Sequence, residues 1–224
     1  MKRYWRVIEI LGKDQRGAGT ILYIAALTLL FPLFFLLVFN IEKVFLTKEA
    51  ANRAADQAAY AAASVIYEEV WNATKGSPVI CLARNPKTGK CIKWKTFGEE
   101  VGDDQGERQK KRIDEKLRYF LGGGGDVLEA CGDFPDLCLF KTSREGLANG
   151  RGKMAAIAEK VARSNGSELK SAPEEREEYG TVRIYLKTGK MYHGSPIGDI
   201  QMGGDQEIEQ VGVSYPIPII LDIK

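Results

Sequence analysis

The side chains able to do chemistry in this sequence are few. Of 224 residues, one is a histidine, His193, and four are cysteines: Cys81, Cys91, Cys131 and Cys138. Cys81 and Cys91 stand ten apart around Asn85-Pro86-Lys87-Thr88-Gly89-Lys90, and Cys131 and Cys138 seven apart around Gly132-Asp133-Phe134-Pro135. Four sulfurs serve either as two disulfides or as a zinc site, and the Cys-x-x-Cys knuckle of zinc sites is absent. Of the three pairings four cysteines allow, local spacing selects Cys81 with Cys91 and Cys131 with Cys138, disulfides that persist outside the cytoplasm. His193, in Lys190-Met191-Tyr192-His193-Gly194, has no ligand partner at metal-binding spacing. Gly122 to Gly125 lack the Lys-Ser/Thr of a phosphate loop and read as a flexible break. Asn72-Ala73-Thr74 and Asn165-Gly166-Ser167 fit the glycosylation sequon. No nucleophile, acid–base or metal constellation emerges, so the sequence argues against an enzyme and calls for no cofactor and no metal.

The elements around these residues begin with a membrane span. Residues 17–41, GAGTILYIAALTLLFPLFFLLVFNI, are 25 consecutive residues without a charge. As a helix they measure about 37 Å at about 1.5 Å per residue, enough for a hydrocarbon core of about 30 Å. A buried core helix would have to hide bulky residues all round, and the rest of the chain has too few apolar elements to surround it. Pro32 removes one backbone donor mid-span, which membrane helices tolerate. Residues 1–16 hold Lys2, Arg3, Arg6, Lys13 and Arg16 against Glu9 and Asp14. That surplus places them as a cytoplasmic basic tail. With 32 Lys+Arg against 30 Asp+Glu overall, the remainder is nearly neutral, and nucleic acid is not an expected partner.

Residues 42–72 extend the helix beyond the membrane, to about Trp71: EKVFLTKEAANRAADQAAYAAASVIYEEVW, residues 42–71, has no Gly or Pro and is rich in alanine, the best helix former. Ala50/Ala51, Ala54/Ala55, Ala58/Ala59 and Ala62/Ala63 recur every four residues as a ridge of small side chains. Such a ridge permits close approach by another element, either the chain's own globular domain or a neighbouring subunit.

Asp14-Gln15-Arg16-Gly17, the span with Ala25-Ala26-Leu27 and Pro32, and the run Ala50-Ala51-Asn52-Arg53-Ala54-Ala55-Asp56-Gln57-Ala58-Ala59-Tyr60-Ala61-Ala62-Ala63 together resemble the TadE/TadG-like proteins of the tight-adherence (Flp-type) pilus system. Val211-Gly212-Val213-Ser214-Tyr215-Pro216 is similar to that family's closing strand; the middle of the chain is not covered. The resemblance implies a pilin-like structural or assembly subunit. Its partners would be other pilus or assembly-machine subunits, met through the N-terminal helix, together with membrane lipid, and a homo-oligomer is left open. It also marks Gly17 and Ala18 as a processing site, although Leu22 stands where prepilin-like members usually carry Glu, so cleavage and an intact anchor both stay open.

Residues 73–224 are expected to form an extracytoplasmic α+β head. Residues 79–82 and 91–94 read as a hairpin with Cys81 and Cys91 facing across it, and residues 105–121 as a surface helix with Ile113, Leu117, Phe120 and Leu121 on one face. A short helix is expected over 152–163, a polar linker over 164–178, and strands over 181–187 and 208–215. The prolines of Tyr215-Pro216-Ile217-Pro218-Ile219-Ile220-Leu221 leave an edge strand or an apolar tail returning toward the membrane or a neighbour. The whole predicts a small sheet packed on a long helix, in a single-pass anchored protein whose N-terminus is cytoplasmic. An anchored binding protein with no filament role is the functional alternative.

Overall fold

The computed structural model of the chain describes residues 15–102, 104–133, 139–193, 195–197, 200–202 and 205–224. It is mixed α and β, as the sequence implies, and one element dominates. Helix α1 (Gln15–Thr74) runs for 60 residues, through Pro32 and past the expected end at Trp71. At its C-terminus Thr74 Oγ1 donates back to the Val70 carbonyl at 2.7 Å, and the Ser77 amide caps the Thr74 carbonyl.

The chain divides into two compact units. One holds α1 up to Thr47 with the short hairpin β6 (Ser195–Ile197) and β7 (Ile200–Met202). The other, Lys48–Met191 with Glu207–Lys224, is the head. Its elements are built on the second half of α1.

Strands β1 (Pro78–Arg84) and β2 (Cys91–Thr96) pair antiparallel around a loop in which Asn85 Oδ1 accepts from the Lys87 amide at 2.9 Å. Cys81 and Cys91 are disulfide-bonded, with Cα atoms 5.8 Å apart. They do not face each other in register: Cys81 pairs with Trp94 and Cys91 with Arg84. Register shifts on either side of Ala83 stagger the strands, and the bond crosses that irregularity. Helix α2 (Phe97–Val101) follows directly, opened by a capping box between Thr96 and Glu99. The charged helix α3 (Glu107–Leu121) buries Ile113, Leu117 and Phe120, the stripe expected of it. It leads through the glycine turn to α4 (Val127–Asp133).

Helix α5 (Leu139–Ser164) is 26 residues long where a short helix over 152–163 was expected, because Gly146, Gly150 and Gly152, which lower helix propensity, lie inside it. Packing overrides propensity here. A Cβ at Gly146 would sit 2.6 Å from Val70 Cα, and one at Gly150 2.9 Å from Ile66 Cα, so the two helices approach backbone to backbone where glycine stands.

The expected linker over 164–178 is instead two strands, β3 (Glu168–Leu169) and β4 (Glu174–Glu178). They pair in succession with the central strand β5 (Thr181–Tyr192), and β8 (Gln206–Val213) pairs with β5 as well. The sequence EEREE of β4 fits a solvent-facing edge, where charge discourages further pairing. The β4–β5 turn is Tyr179-Gly180, both with positive φ (50° and 71°), the geometry of a two-residue hairpin turn. Val182, Ile184 and Leu186 point from β5 into the core, as their alternation predicts.

The C-terminal apolar run neither extends the sheet as a full strand nor leaves the head. Ile217 bridges to Val182, short helix α6 (Ile219–Asp222) follows, and Ile217, Ile219, Ile220 and Ile223 are buried in the same core as α1, α3 and β5. That burial accounts for a tail whose composition also suits a membrane or a neighbour.

Candidate functional site

The first half of α1 presents bulky apolar side chains to the outside on every face. Its best 18-residue window has a mean hydropathy of 2.7 with none of it buried. Leu22, Leu29 and Phe34 are all more than three-fifths exposed. The polar side chains of this stretch turn back onto the helix itself: Thr28 Oγ1 donates to the Ile24 carbonyl at 2.7 Å and Asn40 Nδ2 to the Leu36 carbonyl at 3.0 Å. Hydrocarbon demands both properties, since it rewards apolar area and offers no partner to a polar atom. By length and composition the helix fits a membrane anchor. Gly17 and Ala18 both lie within α1.

The second half is the reverse. Ala51, Ala54, Ala55, Ala58, Ala59, Ala62 and Ala63 have no exposed surface, and Ala50 is half-buried. The head's own sheet takes up part of this ridge. A Cβ at Gly212 of β8 would fall 2.1 Å from the Ala55 carbonyl oxygen, so only glycine lets the strand approach. The Val213 amide reaches Asp56 Oδ1 and Thr188 Oγ1 the Ala51 carbonyl, each at 3.4 Å. Gly146 and Gly150 of α5 complete the seat further along, at Val70 and Ile66. The sequence signal for this second contact is the spacing of Gly146-Leu147-Ala148-Asn149-Gly150, a small-xxx-small pattern that the reading above did not use.

Beside the seat, α1 and α3 bring together a group of side chains that no motif announces. Lys110 Nζ donates to Ser64 Oγ at 2.9 Å and to the Tyr215 hydroxyl at 2.5 Å, and lies 4.4 Å from the Tyr215 ring centroid and 5.7 Å from that of Tyr67. The Tyr67 hydroxyl donates to Asp114 Oδ2 at 2.8 Å, while Asp114 Oδ1 is buried without a hydrogen-bond partner among the described residues. Burial pushes the Asp114 carboxyl up to about 7, against the opposing pull of the Tyr67 hydrogen bond and of Arg118. Burial first, and then Asp114, raises Tyr67 well above the usual phenol range. Tyr60 stacks on Tyr215 with ring centroids 5.8 Å apart.

The remaining singled-out residues stay dispersed. The Cys131–Cys138 pairing lies outside the described residues: Cys138 is not among them, and of Cys131 only the backbone, in α4, is described. His193 is exposed and contacts Asp205 at 3.0 Å. Among the described residues no group of three His, Cys, Asp or Glu side chains is placed to hold a metal. The glycine break after α3 is a packed turn: a Cβ at Gly125, whose φ is 72°, would meet the Phe120 ring and the Val79 carbonyl oxygen at 2.8 Å. In the first sequon Asn72 is exposed on α1 but Thr74 is buried; in the second, Asn165 Nδ2 is engaged with the Val161 carbonyl.

A helix that is apolar on all sides in its first half and the central strut of an α+β head in its second fits a helix-anchored protein. The strut is also where kinship lies: the family model described as putative Flp pilus-assembly TadE/G-like matches residues 17–65, a stretch that takes in both span and ridge. Over residues 17–65 the chain is thus similar to the TadE/G-like family, which supports a role related to the Flp pilus. No curated protein and no solved structure matches the chain.

Proposed function

We propose that the chain is a membrane-anchored, pilin-like structural or assembly subunit of a tight-adherence pilus, working by helix packing and partner binding. The observation that carries this reading is the coincidence of the family match at residues 17–65 with the two-part helix α1, apolar outside the head and small-ridged within it. The basic residues before the span favour a cytoplasmic N-terminus, and the Cys81–Cys91 disulfide favours a head outside the cytoplasm.

The ridge Ala51–Ala63 is occupied by the head, so its role in this proposal is to seat the head's own elements. Contacts with other pilus subunits, with a second copy and with lipid then fall to the exposed apolar span. Cleavage between Gly17 and Ala18 would make the chain a filament subunit; an intact N-terminus would make it a fixed assembly factor.

Deleting the gene and counting surface filaments by electron microscopy tests the reading. Filament loss restored by the wild-type gene is expected, and an unchanged count overturns it in favour of an anchored binding protein. N-terminal sequencing of the protein from native membranes then separates filament subunit from assembly factor.

A further inference from the structure

We propose that the head carries a contact between copies of its own, separate from the apolar span: the β4–β5 tip of one copy docks on the β1–β2 hairpin of the next. At the tip, Tyr179 is fully exposed, more so than any other large apolar side chain among the described residues. Its φ of 50° lies in the left-handed region, which a bulky side chain rarely adopts. Strand β4 is acidic, and most of its carboxylates are engaged within the copy: Glu174 by Arg176, Glu175 by Arg151 and Glu178 by the Tyr185 hydroxyl. Glu177, exposed and two residues before Tyr179, has no such partner among the described residues. The tip therefore presents an aromatic ring close to an unpaired negative charge, and a ring so presented is the kind of anchor that protein interfaces use.

The β1–β2 hairpin complements it in both respects. Residues 70–98 hold six Lys and Arg and no Asp or Glu. Arg84 is neutralised by Asp126 and Glu129, and Lys95 by Glu100. Lys87, Lys90 and Lys93 are exposed and have no carboxylate partner among the described residues. On the same two strands Leu82 and Ile92 are exposed at 53 % and 65 %. Apolar side chains set among unpaired ammonium groups fit a ring flanked by a carboxylate: Tyr179 covers the aliphatic surface and Glu177 meets Lys93.

A second copy is the occupant because one chain carries both halves of the match. The two patches differ, so the contact is heterologous and every docked pair leaves one patch free at each end. Unless the rotation closes a ring, association then continues past a dimer. A hairpin tip on a hairpin buries less than a stable dimer does, so each contact is weak and favoured by crowding of copies.

The test is sedimentation velocity of the full chain in neutral detergent micelles, from about 10 μM to about 1 mM. The mass is expected to rise with concentration beyond a dimer and to fall back as ionic strength goes from about 0.05 M to about 0.5 M. Lys93→Glu and Glu177→Lys should each weaken association about tenfold, since like charges then face each other. An equimolar mixture of the two should recover it, because the tip of each variant meets the opposite charge on the hairpin of the other. Tyr179→Asn suits the left-handed turn, so it should melt no lower than the parent while association falls about tenfold, which separates docking from folding. A mass independent of concentration, a dimer that none of these substitutions alters, or a mixture no more associated than its components overturns the proposal. So does a monomeric chain whose hairpin binds deca-glutamate, which would assign that surface to an acidic foreign protein. The mass of the purified chain is independent of the filament count, so this contact and the pilus role can fail separately.

Discussion

The two halves of α1 are one continuous helix in two opposite environments. Between residues 19 and 41 nearly all the large side chains are exposed, with Leu29 at 69 %; between Ala51 and Ala63 the buried ones are alanines at 0 %. If head packing followed apolar area alone, the leucines and phenylalanines would be covered first, since each fully buried gains about 1.5–3 kcal/mol and an alanine methyl far less. The reverse occurs because the head approaches α1 with backbone. Gly212 leaves room for a small side chain opposite and none for a large one. From Ala51 to Ala63, then, small residues stand where the strand comes close, while the large ones of residues 19–41 suit a fluid solvent such as hydrocarbon, which fills any shape.

The sharpest way to break that contrast is to add one methyl to the seat. In Gly212→Ala the new Cβ falls 2.1 Å from the Ala55 carbonyl oxygen, backbone against backbone, and no rotamer relieves it. We expect a loss of about 3 kcal/mol or more of head stability, read as a lowered denaturant midpoint. Leu29→Ala, which removes far more apolar surface from the span, should leave that midpoint unmoved. Equal effects of the two changes would show that the halves are not distinct.

A charge tests the other half. Leu33→Lys places an ammonium in the middle of the exposed apolar stretch and should cost about 2.5–3.5 kcal/mol of membrane insertion. The expected readout is a shift of the protein from the membrane to the soluble or degraded fraction, with the same head midpoint in whatever protein survives. Undiminished membrane fractionation would show that the span does not rest in lipid.

How far the sequence discloses this arrangement depends on whether a partner is local. The Cys81–Cys91 hairpin, the stripe of α3 and the alternation of β5 are set by neighbours a few residues away, and each is where its pattern puts it. The length of α5 was obscured because glycine in a helix signals weakness until Val70 and Ile66 are known to lie against it. Strand β4 was obscured because five charged residues carry no alternation, and the Tyr179-Gly180 turn alone announces the hairpin. The alanine ridge was legible as a packing surface, but its partner was not, since own head and foreign helix ask for the same small side chains. The Lys110–Asp114 group was invisible for the same reason: Ser64, Tyr67 and Tyr215 come to it from distant parts of the chain.

The smallest expected effect belongs to the head's margin beside the seat, and its sign distinguishes a structural hydrogen bond from a carboxyl held against its preference. Asp114 titrates at about 7 in the folded head against 3.8 for an exposed carboxyl, so the folded state holds the proton more tightly. Its contribution to stability is complete below about pH 4 and is lost as pH rises toward the folded value, the opposite of an ion-paired aspartate. Asp114→Asn keeps an oxygen for the Tyr67 hydroxyl and puts an amide where Oδ1 lacks a partner. The variant should therefore match the parent near pH 4 and exceed it by about 1–2 kcal/mol near pH 8, a fraction of the full shift because this side chain is partly solvated. Stability curves that run parallel across that range would mean that Asp114 is ionised at no cost. The head would then owe nothing to the proton, and the contact with Tyr67 would be an ordinary bond between α1 and α3.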